Sequence, residues 1–241
     1  MKRVVVNQSS YIPWKGYFDL IHDADLFVFY DDVQFTVRDW RSRNRIKTPQ
    51  GAIWLTVPVG SDRNRLVCDV VITDAGWQKR HFESLRHSYS RAPYFRDYEP
   101  FLREVYLERR WNNLSALNQF LIRRIAEEFL GIRTLFAQST EFNAPGRKAD
   151  RILALAKAAG ATTYLSGPAA KAYLDPAAFS AAGIELQWKE YPAYPEYPQL
   201  HPPFDHAVTV LDLLFHVGPA APWYIWGWRE GSPRPDDSLG Q

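Results

Sequence analysis

The 241-residue chain contains a single cysteine, Cys68, which excludes an intramolecular disulfide and a cysteine-rich zinc site. Its net charge is also small, because 29 Lys and Arg residues nearly balance 27 Asp and Glu residues, so no global field attracts nucleic acid or an anionic membrane. No apolar run approaches the roughly 18 residues that a membrane-spanning helix needs, and the amino-terminal segment turns polar too early for a signal peptide. These absences predict a cytoplasmic protein that does not insert into a membrane.

Several catalytic signatures are missing as well. The six histidines do not show the spacing of metal ligands, so we predict no metal site. The sequence has no Gly-x-Ser-x-Gly segment, which argues against an ordinary serine hydrolase. The stretch from Ser166 to Lys171 lacks the spacing and the second glycine of a P-loop. Cys68 lies in a predicted strand, where we expect a small core residue and not a nucleophile.

The order of apolar and helical segments predicts an α/β fold. Residues 4–6 and 26–30 are short apolar runs that fit buried parallel strands, and residues 14–24 can form the crossover helix between them. Three further strands and two helices continue the alternation, the strands at 133–137, 162–165 and 184–188 and the helices at 148–159 and 176–182. This pattern predicts a mostly parallel central sheet with flanking helices, in a Rossmann-like arrangement.

The middle of the chain departs from this alternation. Residues 77–89 and 114–130 have helical periodicity, whereas Pro93 and Pro100 are expected to break the segment between them into short pieces. Two more strands are predicted before these helices, at 53–59 and 67–73.

The chain shows no internal repeat and no long linker. We expect a single α/β domain over residues 1–228, with a helical insertion at about 77–130. Residues 191–198 repeat Tyr and Pro at short spacing, which is typical of an ordered loop with aromatic side chains. From Arg229 onward the sequence loses its apolar pattern, so residues 229–241 are expected to form a flexible tail.

Polar side chains follow the first two predicted strands. Asn7 and Gln8 come after the first, and Asp31 and Asp32 come after the second. Because parallel sheets bind their ligands at the carboxyl ends of the strands, these four residues form a candidate site. A carboxylate there could act as a general base, orient an amine or bind Mg²⁺, and the alternative is a turn or a helix cap.

A basic stretch follows, with four arginines between Arg38 and Arg45, Lys47 after them and Trp40 among them. Guanidinium groups match phosphate oxygens in a bidentate manner, so a local phosphate site for a nucleotide or nucleotide-sugar is the favoured interpretation. An RNA-binding patch and a solvated face are the alternatives. Further along the chain, Ser166, Gly167 and Lys171 follow a strand and could hold a phosphate or a carboxylate.

Aromatic residues are abundant, with nine Trp and thirteen Tyr. We expect most of them to fill the core and the rest to be candidates for stacking against sugars or nucleobases.

The sequence resembles the WbqC-like protein family over nearly the whole chain except the tail. The segments that carry the resemblance are 7–18, 29–35, 40–47, 54–59, 92–95, 164–167, 171–174, 197–200 and 212–215. The family more usually has His-Gln-Pro where this chain has Asn7, Gln8 and Ser9. Asparagine cannot shuttle a proton near neutral pH, so a role that needs an imidazole at position 7 is not available here.

The resemblance implies a role in the biosynthesis of bacterial O-antigen and other surface glycans, with glycine transfer to an amino sugar as the suggested activity. The function we expect is amide-forming transfer of an amino acid or related acyl group to an amino sugar or a nucleotide-linked amino sugar. One alternative is a non-catalytic partner that binds the nucleotide-sugar for a glycan assembly enzyme. A looser similarity to nucleotidylyl-transferase-like synthetases, such as pantothenate synthetase, gives a further alternative, an adenylate-forming ligase that uses ATP with Mg²⁺. An aminoacyl-tRNA donor stays open, although we expect no stable nucleic-acid surface.

We assign Asp31, Asp32 and Gln34 as candidate catalytic residues. The candidate substrate-binding residues are Asn7, Gln8, Tyr11, Trp14, Gly16, Tyr17, Arg38, Trp40, Arg43, Asn44, Arg45, Ser166, Gly167, Lys171 and Tyr173. Within this set, Arg43, Arg45 and Lys171 are predicted to converge on one phosphate group.

Overall fold

The computed structural model describes residues 1–191 and 193–233. Within these residues the strands are β1 (Arg3–Asn7), β2 (Leu26–Phe29), β3 (Arg43–Thr48), β4 (Gly51–Thr56), β5 (Leu135–Gln138), β6 (Thr163–Ser166) and β7 (Glu185–Trp188). The α-helices are α1 (Lys15–His22), α2 (Trp77–Tyr89), α3 (Phe95–Arg103), α4 (Leu114–Arg124), α5 (Lys148–Ala158), α6 (Pro176–Ala181) and α7 (Val210–Val217). Pro192 and residues 234–241, which belong to the predicted aromatic loop and tail, lie outside the described residues.

The central sheet has five strands in the order β5-β2-β1-β6-β7, and every neighbouring pair is parallel. This confirms the predicted α/β class and its mostly parallel sheet. The Rossmann-like and nucleotidylyl-transferase-like assignments stay predictions. The central strand β1 has β2 on one side and β6 on the other, because the chain passes from β1 to β2 and later crosses from β5 to β6. This change of direction creates a crevice at the carboxyl end of β1.

Apolar side chains cover both faces of the sheet, because successive residues of a strand point to opposite faces. Val5 and Phe27 belong to one core, which also contains residues of α1, α4 and α7. Val4 and Val28 belong to a second core, which contains residues of α5 and α6. The continuous apolar runs in β1 and β2 are therefore those of strands buried on both sides.

The helical region predicted at about 77–130 contains α2, α3 and α4. The expectation that Pro100 breaks the segment is wrong, because helix α3 continues through Pro100 and the burial of Phe95, Phe101 and Leu102 offsets the hydrogen bond that proline cannot donate. The long helix predicted over about 114–130 is present, as α4 followed directly by a π-helical turn over Ile125–Phe129.

The strand predicted at 67–73 is absent from the described residues. Val67–Asp69 is a 3₁₀ turn, and Val71 makes only an isolated bridge to Asn113. The backbone N–H groups of Val67 and Cys68 donate to the carbonyls of Val33 and Asp31, so this segment pairs with a loop and not with a strand.

Strands β3 and β4 form an antiparallel hairpin outside the central sheet. Asn44, Ile46 and Leu55 are buried, whereas Arg43 and Trp54 lie on the opposite, more accessible face. The side chains of the basic stretch therefore alternate between the two faces of β3, as the period of a strand requires, with Arg43 and Arg45 on the more accessible face and Lys47 buried near the end of the strand.

The beginning of the predicted tail is packed against α1. The Arg229 guanidinium donates to both carboxylate oxygens of Asp19 and to Asp23, and the Ser232 N–H donates to the Gly227 carbonyl. These contacts extend the ordered chain beyond residue 228. No helix among the described residues is both long enough and apolar enough to cross a membrane.

Candidate ligand-binding cavity

A cavity of about 550 Å³ opens at the carboxyl ends of β1 and β6, in the crevice between these two neighbouring strands of the sheet. Asn7 and Gln8 border it from β1, and Ser166 and Gly167 border it from β6. Its size lies within the range of about 300–1,000 Å³ that is typical of small-molecule sites. The polar residues after β1 border the cavity, but its other side comes from β6 and not from the end of β2, where the sequence placed the second half of the candidate site.

Aromatic side chains form much of the cavity wall, and they come from four separate parts of the chain. These side chains are Trp14, Tyr17, Trp40, Tyr164, Tyr173 and Tyr191. The rings of Trp14 and Tyr191 lie 5.2 Å apart between centroids, and the Tyr17 hydroxyl donates to the Gln8 carbonyl over 2.8 Å. Tyr173 is 57% exposed and Trp40 is 47% exposed, so the wall continues to the surface.

Arg41 is the one Lys, Arg, Asp, Glu or His side chain among the described residues that line the cavity. The backbone N–H and one Nη of Arg41 donate to the two carboxylate oxygens of Asp39, each over 3.0 Å. The Asn118 side-chain amide donates to the Arg41 carbonyl over 2.8 Å, which fixes the backbone at this point. Arg41 Nε is shielded from solvent and has no hydrogen-bond partner in the described part of the chain.

The two amide side chains at the end of β1 are also incompletely bonded. Asn7 Oδ1 accepts the Gln8 N–H over 3.0 Å. Gln8 Oε1 is buried and has no partner among the residues that the structure describes. An unsatisfied buried polar atom costs about 1–3 kcal/mol, so Gln8 and Arg41 carry an acceptor and a donor that a small side-chain rotation would offer to a ligand.

The tyrosines of the cavity are neutral hydroxyl groups near neutral pH. Burial raises the pKa of Tyr17 well above its ordinary value, and the Asp31 carboxylate adds to this effect while the Arg41 charge opposes it. Burial also raises the pKa of Tyr191 to about 12, with a further contribution from Asp19. Tyr17 already donates its hydroxyl proton to the Gln8 carbonyl, so its oxygen can only accept from a ligand, and both tyrosines are poor general bases at pH 7.

Asp31, a predicted catalytic residue, lies close to the cavity but does not line it. Its side chain is buried and accepts hydrogen bonds from the Ser9 N–H at 2.8 Å, from Gln119 Nε2 at 3.1 Å and from the Ser115 hydroxyl. These donors satisfy the carboxylate inside the protein. The structure thus gives Asp31 a clear part in holding the segment after β1, while its catalytic role stays a prediction.

The other two predicted catalytic residues do not line the cavity either. Asp32 accepts a hydrogen bond from the Ser139 hydroxyl at 2.5 Å and forms an ion pair with Arg151. Gln34 is exposed and makes an isolated β-bridge with Leu66. The adjacent carboxylates diverge because successive residues of an extended chain point in opposite directions.

The cavity brings together about half of the predicted substrate-binding residues. Those that line it are Asn7, Gln8, Trp14, Tyr17, Trp40, Asn44, Ser166, Gly167 and Tyr173. Those that do not line it are Tyr11, Gly16, Arg38, Arg43, Arg45 and Lys171.

Each residue in the second group has a different environment. Tyr11 is fully buried, where its hydroxyl contacts His81 Nδ1 and the Tyr106 hydroxyl. Arg45 donates to the Ala207 carbonyl, and the Lys171 ammonium lies 5.8 Å from the Trp188 ring. Arg45 and Lys171 therefore contact different parts of the protein, and their predicted convergence with Arg43 stays a prediction.

The donor groups around the cavity do not fit Mg²⁺, because no carboxylate is found among its described lining residues. Elsewhere, Asp19, His22 and Asp23 place three metal-type ligand atoms within 4.8 Å of one another. Lys189 and Arg229 neutralise these carboxylates, with Lys189 Nζ at 3.0 Å from Asp19 and 2.5 Å from Asp23. This cluster is an ion-pair network that anchors Lys189, directly after β7, and Arg229 to the end of α1.

Sequence reasoning missed Arg41, Tyr164, Tyr191 and Ala207 as lining residues. The basic stretch pointed to Arg41, but four arginines at short spacing do not reveal which one turns inward. The Tyr-Pro repeat predicted an aromatic loop over residues 191–198, but it did not show that Tyr191 would be the residue that lines the cavity. Ala207 has no chemical signal, and only the folded chain brings it to the cavity.

The fold and the cavity define a class: an α/β protein with a small-molecule cavity at the carboxyl edge of a parallel sheet. The sequence model of the WbqC-like protein family matches residues 8–224, and the chain belongs to this family. It is 44% identical over 227 residues to the uncharacterized protein Rv1507c of Mycobacterium tuberculosis, an alignment that covers 93% of this chain and 98% of that protein. No solved structure matches the chain significantly.

Proposed function

We propose that the protein binds a sugar phosphate, or a closely related polyhydroxylated anion, in the cavity at the ends of β1 and β6. The observation that carries this proposal is Arg41, the one cation among the described lining residues, in a cavity otherwise lined by aromatic, aliphatic and neutral polar residues. One Nη of Arg41 bonds Asp39, and the remaining donors of its guanidinium match a phosphate group. Aromatic faces and neutral amides suit the apolar faces and hydroxyl groups of a sugar.

The lining residues support binding better than they support amide-forming transfer. A transfer to an amine needs a base near the attacking nitrogen, and the described lining residues include no carboxylate, histidine or lysine. They also offer no negative charge that would select an amino sugar over a neutral one. The transfer implied by the family resemblance therefore remains a prediction, to be tested on the same protein sample.

Calorimetric titration of the wild type with glucose 1-phosphate and with glucose tests the proposal. Binding of the phosphate, with much weaker binding of glucose, is expected. Arg41→Gln should weaken glucose 1-phosphate binding by about 1.5–3 kcal/mol, the range for a hydrogen bond to a charged group. Arg91→Gln is the matched control, because Arg91 is exposed and does not line the cavity. Equal affinity for the two ligands, or an Arg41→Gln variant that binds like the wild type, would refute the proposal.

Mass spectrometry tests the transfer separately. The protein is incubated with a nucleotide-linked amino sugar, glycine, ATP and Mg²⁺, and with other acyl donors including aminoacyl-tRNA. A product that carries one added acyl group would establish the enzyme. Binding without any product, across all donors, would support a binding protein that presents its ligand to an assembly enzyme.

A further inference from the structure

An exposed pair of indole rings lies beside the mouth of the cavity. Trp40 and Trp54 are 47% and 43% exposed, and their ring centroids are 5.4 Å apart with the planes tilted by 43°. Trp40 itself lines the cavity, so the pair continues the aromatic wall onto the outer face of the β3–β4 hairpin. Large aromatic side chains that are exposed together commonly mark a binding surface.

Arg43 provides a cation on this surface that no acidic residue in the described part of the chain pairs with. Its guanidinium carbon lies 4.2 Å from the Trp54 ring centroid. It forms no hydrogen bond or ion pair with any residue that the structure describes, and its Nε is buried without a partner. Arg45, on the same face of β3, is by contrast held by the Ala207 carbonyl at 3.0 Å and by Asp205 at 3.6 Å.

The contact of Arg43 with Trp54 leaves the Nη groups of Arg43 without a partner among the described residues, while its Nε is buried. A guanidinium that contacts an aromatic ring through its flat face keeps its donors along the edge, where they can bind phosphate oxygens. Arg41 lies two residues earlier in the chain and lines the cavity, with one Nη bonded to Asp39 and its Nε buried without a partner in the described part of the chain. Arg41 therefore lies on the cavity side of Trp40, and Arg43 contacts the other indole ring of the pair.

We propose that Trp40, Trp54 and Arg43 form an outer subsite for the nucleoside diphosphate part of a ligand whose sugar occupies the cavity. The diphosphate would bridge Arg41 and Arg43, and the base would stack on the indole rings. This inference rests on the proposed function for the position of the sugar, and it extends that function from sugar phosphates to nucleotide-linked sugars. Stacking alone does not choose among bases, because every base has a π-face.

Calorimetric titration with UDP, ADP and inorganic pyrophosphate separates the two parts of the subsite. Trp54→Leu, which keeps an apolar side chain without the ring, should weaken UDP and ADP binding roughly 5- to 100-fold and leave pyrophosphate binding within about twofold. Arg43→Gln should weaken all three ligands. The controls are Ile53→Ala, an exposed apolar residue next to Trp54 in β4, and Arg91→Gln. Thermal unfolding curves that match the wild type would show that each variant is folded.

Glucose 1-phosphate distinguishes this inference from the proposed function. If glucose 1-phosphate binds the wild type and Trp54→Leu equally, while UDP binds Trp54→Leu more weakly than the wild type, both proposals stand. If UDP and UDP-glucose bind Trp54→Leu as tightly as the wild type, or if no nucleotide binds the wild type, the outer subsite is refuted and sugar phosphate binding is unaffected. If nucleotides bind through Trp54 but glucose 1-phosphate does not bind, the outer subsite stands and the cavity proposal fails.

Discussion

The indole ring of Trp14 folds back over the backbone of Gly16 in the first turn of α1. A Cβ atom added at residue 16 would lie 2.6 Å from Cε2 and from Cη2 of this ring, closer than carbon atoms pack in proteins. The ring also lies 5.2 Å from Tyr191 and 6.0 Å from Tyr194 between centroids. Gly16 does not line the cavity, but its missing side chain allows Trp14 to form part of the wall.

We expect Gly16→Ala to displace the Trp14 ring and to weaken ligand binding. The clash should cost about 1–3 kcal/mol of folding stability, as overpacking usually does. Alanine in a helix is otherwise favoured over glycine by about 1 kcal/mol, so a net loss would identify the clash. Urea unfolding and calorimetric titration with the ligands described above measure the two effects.

Gly76→Ala is the matched control for this substitution. A Cβ at residue 76 would also meet a close atom, Nη1 of Arg80 at 2.9 Å, but this is the end of an exposed and flexible side chain. Its stability should therefore change by less than about 0.5 kcal/mol. Unchanged stability and affinity in Gly16→Ala would contradict the positioning role of residue 16.

Asp31→Asn should lower the free energy of unfolding by about 2–3 kcal/mol. The buried carboxylate accepts hydrogen bonds from Ser9, Ser115 and Gln119, and bonds to a charged group are worth about 1.5–3 kcal/mol each. An asparagine at this position keeps one acceptor and points two donors at groups that already donate. Urea unfolding at pH 7 provides the measurement, with Asp69→Asn, an exposed carboxylate, as the control.

The same variant tests the catalytic assignment of Asp31. If Asp31→Asn folds with wild-type stability and yet loses the product of the transfer reaction, the carboxylate has a chemical role and its hydrogen bonds are of minor importance. If stability falls and sugar phosphate affinity falls with it, Asp31 acts by holding the segment after β1 in place.

The central sheet could be predicted because its strands carry their own signal. β1 and β2 are continuous apolar runs, and α5 and α6 are followed by Gly160 and Gly183, which have positive φ and end each helix. β3 carried no such signal, since its buried row includes the polar Asn44 and its other row is basic. Helix α3 was missed because the contacts of Phe95 and Phe101 that offset Pro100 are tertiary.

The edge of the sheet that holds the cavity was predictable, but the groups that act there were not. Asn7 and Gln8 after β1 line the cavity, but its other side is formed by residues after β6 and not by Asp31 and Asp32 after β2. The sequence could not show that Asp31 is satisfied by Ser115 and Gln119, which lie more than 80 residues further along the chain. Nor could it distinguish Arg41, which turns into the cavity, from Arg43, which stacks on Trp54.

Lys15 combines a buried ammonium group with an aromatic environment. Its Nζ lies 5.1–5.6 Å from the ring centroids of Tyr194, Tyr197 and Phe204, and it donates to His206 Nδ1 over 2.8 Å. Burial lowers the pKa of Lys15 to about 8, although the carboxylates of Asp212 and Glu196 oppose this effect. Burial and the Lys15 charge together lower the pKa of His206, so this histidine is a neutral acceptor near pH 7.

The lowered pKa of Lys15 predicts that its contribution to stability increases as the pH rises above 8. Below pH 8 the lysine is protonated in both states, and the cost of burying its charge is fully present. Between pH 8 and the unfolded value near 10.5 this residue binds more protons in the unfolded state, so its contribution rises by roughly 1 kcal/mol per pH unit. Buried tyrosines with raised pKa values, such as Tyr17 and Tyr191, act in the opposite direction as the pH approaches 10, so the Lys15 effect is the difference between variants. Lys15→Met should lack the Lys15 contribution, and Lys79→Met, at an exposed position, should keep it. Urea unfolding at several pH values from 7 to 10 measures the slopes, and parallel curves for the wild type and Lys15→Met would contradict the prediction.

Asn44 lines the cavity, but its side chain is committed to bonds within the protein, so its replacement should affect stability before affinity. Nδ2 donates to the carbonyls of Tyr11 at 3.2 Å and Ile12 at 2.8 Å, and Oδ1 accepts the Arg45 N–H at 2.8 Å. These bonds support Ile12 in the left-handed region, with φ of 36°, which is unfavourable for a β-branched residue. Asn44→Ala should therefore lower the free energy of unfolding by about 2 kcal/mol. Asn44→Asp should lower it further, because a buried carboxylate would face two carbonyl oxygens.

The control is Asn64→Asp in an exposed loop, which should change stability by less than about 0.5 kcal/mol in the same urea unfolding experiment. Wild-type stability in Asn44→Asp together with reduced ligand affinity would instead make Asn44 a direct ligand contact.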